Sequence, residues 1–244
     1  MVKPSRIVCL PQVDSTNTWC KQKISELQHG DAVYTTCQTA GRGRLGRSWN
    51  NAPNRALYYS IVLKCDMKEE ASLPLAVSLI VAQVLQQQFG VTCKVTWPND
   101  LICGSKKVAG ILCEAVPEGI VCGVGINLVQ TQQEFLQSQL PYATSIACEL
   151  GEVVDMKTVP NALADALTQT FCNQLTLFYE KGFSVIRQTY KEHCVNLQRQ
   201  VFFEGGQGIA QDIDASGCLV VQTETGKKAV FTGEVSVKGI YNTL

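Results

Sequence analysis

Two apolar runs of helical period constrain this chain most. Leu75, Leu79, Ala82, Leu85 and Phe89 recur every three or four residues, with Pro74 near the start and Gly90 just past the end. Leu163, Leu167, Phe171, Leu175 and Phe178 repeat the pattern over residues 160–181, with Gly182 at the stop. Each reads as a helix buried along one side, so each needs a broad apolar surface to lie on. Residues 33–37, 57–63, 91–95, 108–114 and 120–126 read as the strands of that surface, the last two joined by Pro117-Glu118-Gly119. A shorter helix, 17–27, follows a Ser/Thr/Asn cap region. From about Leu197 the chain turns to short β-rich runs, 201–204, 208–213, 218–223 and 229–237, punctuated by glycines, a meander suited to a small barrel. A domain boundary is therefore placed near Asn196.

Charge and cysteine usage exclude several function classes. Lys+Arg and Asp+Glu both number 21, so no broad, salt-sensitive attraction to nucleic acid is expected. Residues 1–14 lack the apolar segment of a secretory signal. The most apolar stretch, 73–85, is interrupted by Pro74, Ser78 and Gln83 and is too short to span a bilayer. A soluble cytoplasmic protein is the expectation. The 12 cysteines nowhere approach Cys-x-x-Cys spacing, and His29 and His193 are the only histidines. A zinc site, a disulfide scaffold and a cysteine nucleophile therefore all lack support, and no metal site is assigned. Neighbours such as those in Val8-Cys9-Leu10, Leu112-Cys113 and Val121-Cys122 make most of the cysteines small buried hydrophobes in a reducing compartment.

Two segments carry chemistry. Gly41-Arg42-Gly43-Arg44-Leu45-Gly46-Arg47 alternates glycines with cations. Its glycines let backbone N–H groups approach a ligand, and its guanidinium forks suit carboxylate or phosphate. That points to a loop closing over an anionic small molecule; a solvated basic loop or an RNA-binding tract is the alternative. In Trp97-Pro98-Asn99-Asp100, Pro98 ends a strand, so Asn99 and Asp100 fall where α/β proteins place ligands. Lys107 opens the next apolar strand, at the mouth of a pocket, where a fixed cation acts on developing negative charge. Gly110 would let a flat ligand lie against backbone.

Order adds what each motif lacks alone. Asp14-Ser15-Thr16-Asn17, then Gln38-Thr39-Ala40 leading into the arginine loop, then Trp97-Pro98-Asn99-Asp100-Leu101, then Lys107-Val108-Ala109-Gly110-Ile111-Leu112, then Gly123-Val124-Gly125-Ile126-Asn127 resembles the biotin–protein ligase family. Gly233-Glu234-Val235-Ser236 is similar to that family's C-terminal SH3-like domain. The resemblance implies an α+β fold: a biotin- and ATP-binding catalytic domain, residues 1–196, with a mixed β-sheet flanked by helices as in class II synthetases. A small SH3-like β-barrel, residues 197–244, would follow. It implies that biotin is adenylated by ATP, with Mg²⁺, to biotinyl-5′-AMP. The biotinyl group would then pass to one lysine of a biotin carboxyl carrier domain.

By the same resemblance Ser15, Thr16, Asn17 and Gln38 hold the biotin end, while Gly41, Arg42, Gly43, Arg44 and Arg47 belong to the covering loop. Lys107 contacts the carboxyl and phosphate region, Gly110 and Leu112 give backbone contacts, and Trp49, Asn99 and Asn127 form the adenine side. Asp100 matches the acidic residue near the reacting centre, where it would assist metal binding or deprotonation of the acceptor lysine, so Lys107, Arg44 and Asp100 are the catalytic candidates. Two departures stand out: Thr96 where relatives carry a basic residue, with Lys94 two residues earlier, and Lys238 where an arginine is common. The pattern starts by about Ile7, so neither an N-terminal DNA-binding helix-turn-helix nor a DNA or membrane partner is expected. Lipoate–protein ligase, the same chemistry on a longer acyl chain, and a non-catalytic biotin- or nucleotide-binding module are the alternatives. Zero net charge and the lack of aromatics among the arginines weigh against RNA.

Overall fold

The computed structural model describes residues 6–49, 53–64, 70–231, 233 and 235–241. Strands β1 (Ile7–Cys9), β2 (Ala32–Thr35), β3 (Ala56–Leu63), β4 (Lys94–Thr96), β5 (Asp100–Cys103), β6 (Lys106–Val116) and β7 (Gly119–Asn127) form one sheet, ordered β1-β2-β3-β7-β6-β5-β4. The β1–β2 pair is parallel and every other pair antiparallel, so the sheet is mixed. The helices are α1 (Thr16–Gln22), α2 (Leu73–Phe89), α3 (Gln132–Gln137), α4 (Ile146–Leu150), α5 (Val159–Lys181) and α6 (Arg187–His193).

The two long helices form where their periodicity puts them. Gly90 closes α2 in the left-handed region (φ 70°), and the Gly182 N–H closes α5 on the Phe178 carbonyl at 2.8 Å. Alternation along β3 then sorts the layers. Leu57, Tyr59, Ile61 and Leu63 enter the main core beneath α2 and α5, while Val62 joins Cys20, Ile24, Leu27, Val33 and Val121 in a smaller cluster around α1. Each such buried side chain contributes on the order of 1.5–3 kcal/mol. Tyr58 and Ser60 share the face of Val62, the side left for a ligand.

Several segments depart from their sequence patterns. Helix 17–27 stops at Gln22; Ile24 and Leu27 reach the small cluster from the turns that follow. Strand 33–37 ends at Thr35, whose hydroxyl accepts from the Cys37 N–H at 3.0 Å and bends the chain out of the ladder. Only the end of 91–95 is strand, and after Pro98 the chain turns back as β5, a strand its sequence did not announce. Cys122 is buried as expected, but Cys113 is half-buried and Cys9, Cys148 and Cys172 are exposed; Cys65 lies outside the described residues. Cys9 is exposed because it closes a short strand at the sheet's edge.

The tail forms a second, wholly antiparallel sheet: β8 (Gln200–Phe203), β9 (Gly206–Ile213), β10 (Leu219–Thr223), β11 (Gly226–Val230) and β12 (Val235–Val237), ordered β11-β10-β9-β8-β12. Residues 229–237, expected as one strand, divide between β11 and β12; Thr232 and Glu234 lie outside the described residues. These two are consecutive in the chain yet stand at opposite ends of the order.

This sheet shares the main core, through Val201, Ala210, Ile213, Leu219, Val221 and Val237. Asn196, where the domain boundary is placed, is fully buried, and its Oδ1 accepts the Trp97 N–H at 2.7 Å. Trp97 Nε1 donates to the Gly217 carbonyl at 3.0 Å. From α6, Arg187 and Lys191 pair with Asp212 of β9 at 2.8 and 2.6 Å. Burial opposes charge on Asp212, but the Lys191 and Ile213 N–H bonds and the Arg187 charge outweigh it and hold the carboxyl below the usual range. Stability from such a group is present above the unfolded pKa, about 3.9, and is lost as pH falls through the lower folded value. Asp212→Asn should therefore lower Tm at pH 7 and flatten the loss of Tm between pH 5 and pH 2. Thermal melts across that range check this; an unchanged acid slope contradicts it.

Candidate active site

On the α1 side, the central strands present backbone rather than side chains. Gly110 of β6 pairs with Gly125 of β7, and Leu112 with Gly123. A Cβ at Gly123 would strike Asn17 Oδ1, and Cβ atoms at Gly110 and Gly125 would lie 2.6 and 2.8 Å from the Trp49 ring. These glycines let Asn17 and Trp49 lie flat on the sheet. They floor a cleft of about 260 Å³.

One end of the cleft is a closed polar network. Ser15 caps α1, its side chain accepting the Thr18 N–H, because the first N–H groups of a helix lack internal partners. The Thr16 N–H donates to Gln38 Oε1 at 2.9 Å. Ser60 Oγ donates to Asn17 Oδ1 at 2.6 Å and lies 2.7 Å from Thr16 Oγ1. Asn17 Nδ2 donates to the Leu112 carbonyl (3.1 Å) and to Glu114 (2.8 Å), whose other oxygen pairs with Lys21 at 2.6 Å. Every partner of the Asn17 amide thus agrees on one orientation.

The arginine loop folds onto the other end. The Trp49 N–H donates to the Gly41 carbonyl (3.0 Å) and the Gly43 N–H to the Arg47 carbonyl (2.7 Å), while Arg42 and Ser48 form an antiparallel bridge. Arg44 Nη1 donates to Asn99 Oδ1 at 3.0 Å, and Nη2 to the Gly233 carbonyl at 3.3 Å. Asn99 is held in turn by Ile111, donating from Nδ2 to its carbonyl at 2.9 Å. Between these ends, Lys107 Nζ lies 2.7 Å from Asp100 Oδ1 and 5.1 Å from the centroid of the Trp49 ring. Arg42, Arg44, Arg47 and Lys107 face the cleft against one carboxylate, Asp100, among the described lining residues. The field favours an anion.

Every residue assigned to the site from the sequence lines this cleft except Gly41 and Asn127. Gly41 works from behind, through its bond to Trp49. Asn127 is not on the cleft surface: at the buried end of β7 it donates to the Thr144 carbonyl at 2.9 Å and accepts from Gln130 at 3.3 Å. Lys94 does not make up for Thr96, since its ammonium bonds the Glu192 carbonyl behind the sheet at 3.1 Å. Lys238 is exposed and outside the lining. Tyr58, Thr96 and Tyr241 line the cleft without having been assigned to it. Period-two alternation from Ser60 would have found Tyr58; nothing local marks Tyr241.

A backbone floor, a polar network at one end and a basic loop folded onto the other make a site suited to an organic ligand that carries an anionic group. Comparisons specify the class. The Biotin/lipoate A/B protein ligase family matches residues 9–128, and the Biotin protein ligase C terminal domain matches residues 200–238. The bifunctional ligase/repressor BirA of Salmonella typhimurium is 31% identical over 243 residues, 95% of this chain and 74% of its own length. The biotin–[acetyl-CoA-carboxylase] ligase of Paracoccus denitrificans is 29% identical over 94% of this chain and 100% of its own. Biotin protein ligase from Aquifex aeolicus in complex with biotin and ATP matches with a TM-score of 0.82 and 27% identity, over 96% of this chain and 98% of that one. The chain belongs to the biotin protein ligase family, with that family's mixed sheet flanked by helices and a second antiparallel sheet at the C-terminus.

The floor yields a test independent of any ligand. Gly123→Ala drives a methyl into the Asn17 network, and overpacking of this kind costs about 1–3 kcal/mol. Urea unfolding should show that loss; an unchanged midpoint would mean the floor tolerates a side chain.

Proposed function

We propose that residues 1–196 bind biotin and ATP, that residues 197–244 close the site from one side, and that the chain biotinylates a carrier domain in two steps. In the first, a carboxylate oxygen of biotin attacks the α-phosphorus of ATP and pyrophosphate departs with the bridging oxygen. In the second, the ε-amine of a lysine on a biotin carboxyl carrier domain attacks the acyl carbon. AMP leaves with the oxygen that biotin supplied, and the amine gives up its proton.

The observation that carries this reading is Lys107, paired with Asp100 at 2.7 Å between the polar cap and the arginine loop. Step one brings a carboxylate to a polyphosphate, so like charges must be offset at the point of contact. Lys107 is aimed there. Ser15, Thr16, Asn17 and Gln38 hold the ring end of biotin, while Trp49 and Asn99 serve the nucleotide side. Arg42, Gly43, Arg44 and Arg47 cover the phosphates, and Asp100 orients the ammonium. The adenylate is hydrolysable, and the loop tied down through Arg44 keeps water from it.

Among the described residues no three His, Cys, Asp or Glu side chains converge as a metal-ligating set. In this reading Mg²⁺ enters with the nucleotide as part of the substrate, offsetting the charge of the polyphosphate. No helix among the described residues is long and apolar enough to cross a membrane. The proposed setting is the cytoplasm, where the carrier protein would be met.

ATP–pyrophosphate exchange run with biotin, with lipoate and with neither tests the reading: exchange should require biotin. Exchange with lipoate alone moves the substrate to the rival ligase, and none with either acid leaves a binding module. Lys107→Ala should lower the biotin-dependent rate about 10²–10³-fold, about 2.7–4 kcal/mol of barrier, with the melting curve retained. A wild-type single-turnover rate would contradict the role. Arg44→Gly should release labelled adenylate faster than the unmodified chain; equal retention contradicts the loop's covering role.

A further inference from the structure

Tyr241 enters the cleft from the C-terminal segment just beyond β12, and no motif of the first sheet includes it. Its hydroxyl donates to Asp100 Oδ2 at 3.2 Å, while Asp100 Oδ1 holds Lys107 at 2.7 Å. The carboxylate is thus engaged on both oxygens, hydrogen-bonded by a phenol from the C-terminal segment and in ion-pair contact with an ammonium from β6. Tyr241 is itself held: the neighbouring Ile240 is buried in the main core, and the Lys238 N–H donates to the Gln200 carbonyl of β8 at 2.9 Å. Its backbone sits at φ 53°, a left-handed conformation that a tyrosine keeps only where its surroundings dictate it.

We infer that Tyr241 is a positioning residue for adenylation: by fixing the plane of the Asp100 carboxylate it aims the Lys107 ammonium, so the first chemical step depends on the docked C-terminal sheet. The inference rests on the role given above to Lys107. The physical need is plain. A lysine stem has four rotatable bonds and a compact charge, so its direction is only as good as its anchor. Asp100 free to turn about its own side-chain bonds would carry the ammonium with it. Burial, then the Asp100 charge, pushes the Tyr241 hydroxyl well above its ordinary pKa, so it remains a donor throughout the neutral range. Thr96 of β4, opposite Asp100 in the β4–β5 ladder, brings no charge of its own to this wall.

Tyr241→Phe removes the hydroxyl and leaves the ring in place. Biotin-dependent ATP–pyrophosphate exchange should lose about tenfold in kcat, with KM for biotin within twofold of the unmodified chain, because the biotin-end network does not touch Tyr241. A residue that only fills space would leave kcat alone. In an Asp100→Asn background the same change should add less than twofold, since the anchor it acts through is already gone. Unchanged kcat in Tyr241→Phe, or a full tenfold loss added on top of Asp100→Asn, overturns the inference while leaving the ligase reading intact. No biotin-dependent exchange in the unmodified chain overturns both.

Discussion

Three positions on one face of the central strands have no side chain, and the rest of the site depends on that. With Gly110, Gly123 and Gly125 bare, Asn17 and Trp49 can lie against the sheet, and a ligand can lie between them. The opposite face of the same strands cannot afford such gaps. There Ile111, Cys122, Val124 and Ile126 pack beneath α2 and α5 as part of the main core. Period-two alternation therefore lets one ladder be a close-packed core on one side and a smooth floor on the other.

The second sheet completes the site. Its turn accepts the Trp97 indole N–H at Gly217, its β11–β12 connection accepts Arg44 at Gly233, and its last turn brings Tyr241 to Asp100. Each contact reaches a residue of a motif that belongs to the first sheet. The shared core and the Asp212 pairs with α6 keep those contacts in register. A site assembled this way couples the packing of the small sheet to the placement of a single ammonium.

Much of this was legible in the sequence wherever a local rule acted alone. The long helices, with Pro74, Gly90 and Gly182 as punctuation, and the β6–β7 hairpin follow from period and turn chemistry. The order of the motifs placed Ser15, Gln38, Arg44, Asp100 and Lys107 in one cleft. What stayed hidden was decided by contacts distant in sequence. Asn127 belongs to its motif by position, yet Thr144 and Gln130 claim its amide. Strand 229–237 divided because β12 pairs with β8, some thirty residues earlier, and Tyr241 reaches Asp100 across 141 positions of chain. No window of local sequence carries either fact.

In the proposed reaction this cleft joins the biotin carboxylate to the α-phosphorus of ATP. Biotin labelled with ¹⁸O in both carboxyl oxygens, turned over with ATP and a carrier domain, tests it directly by mass spectrometry of the products. One ¹⁸O is expected in each AMP and none in pyrophosphate. Label in phosphate or pyrophosphate, or AMP formed without label, would contradict it.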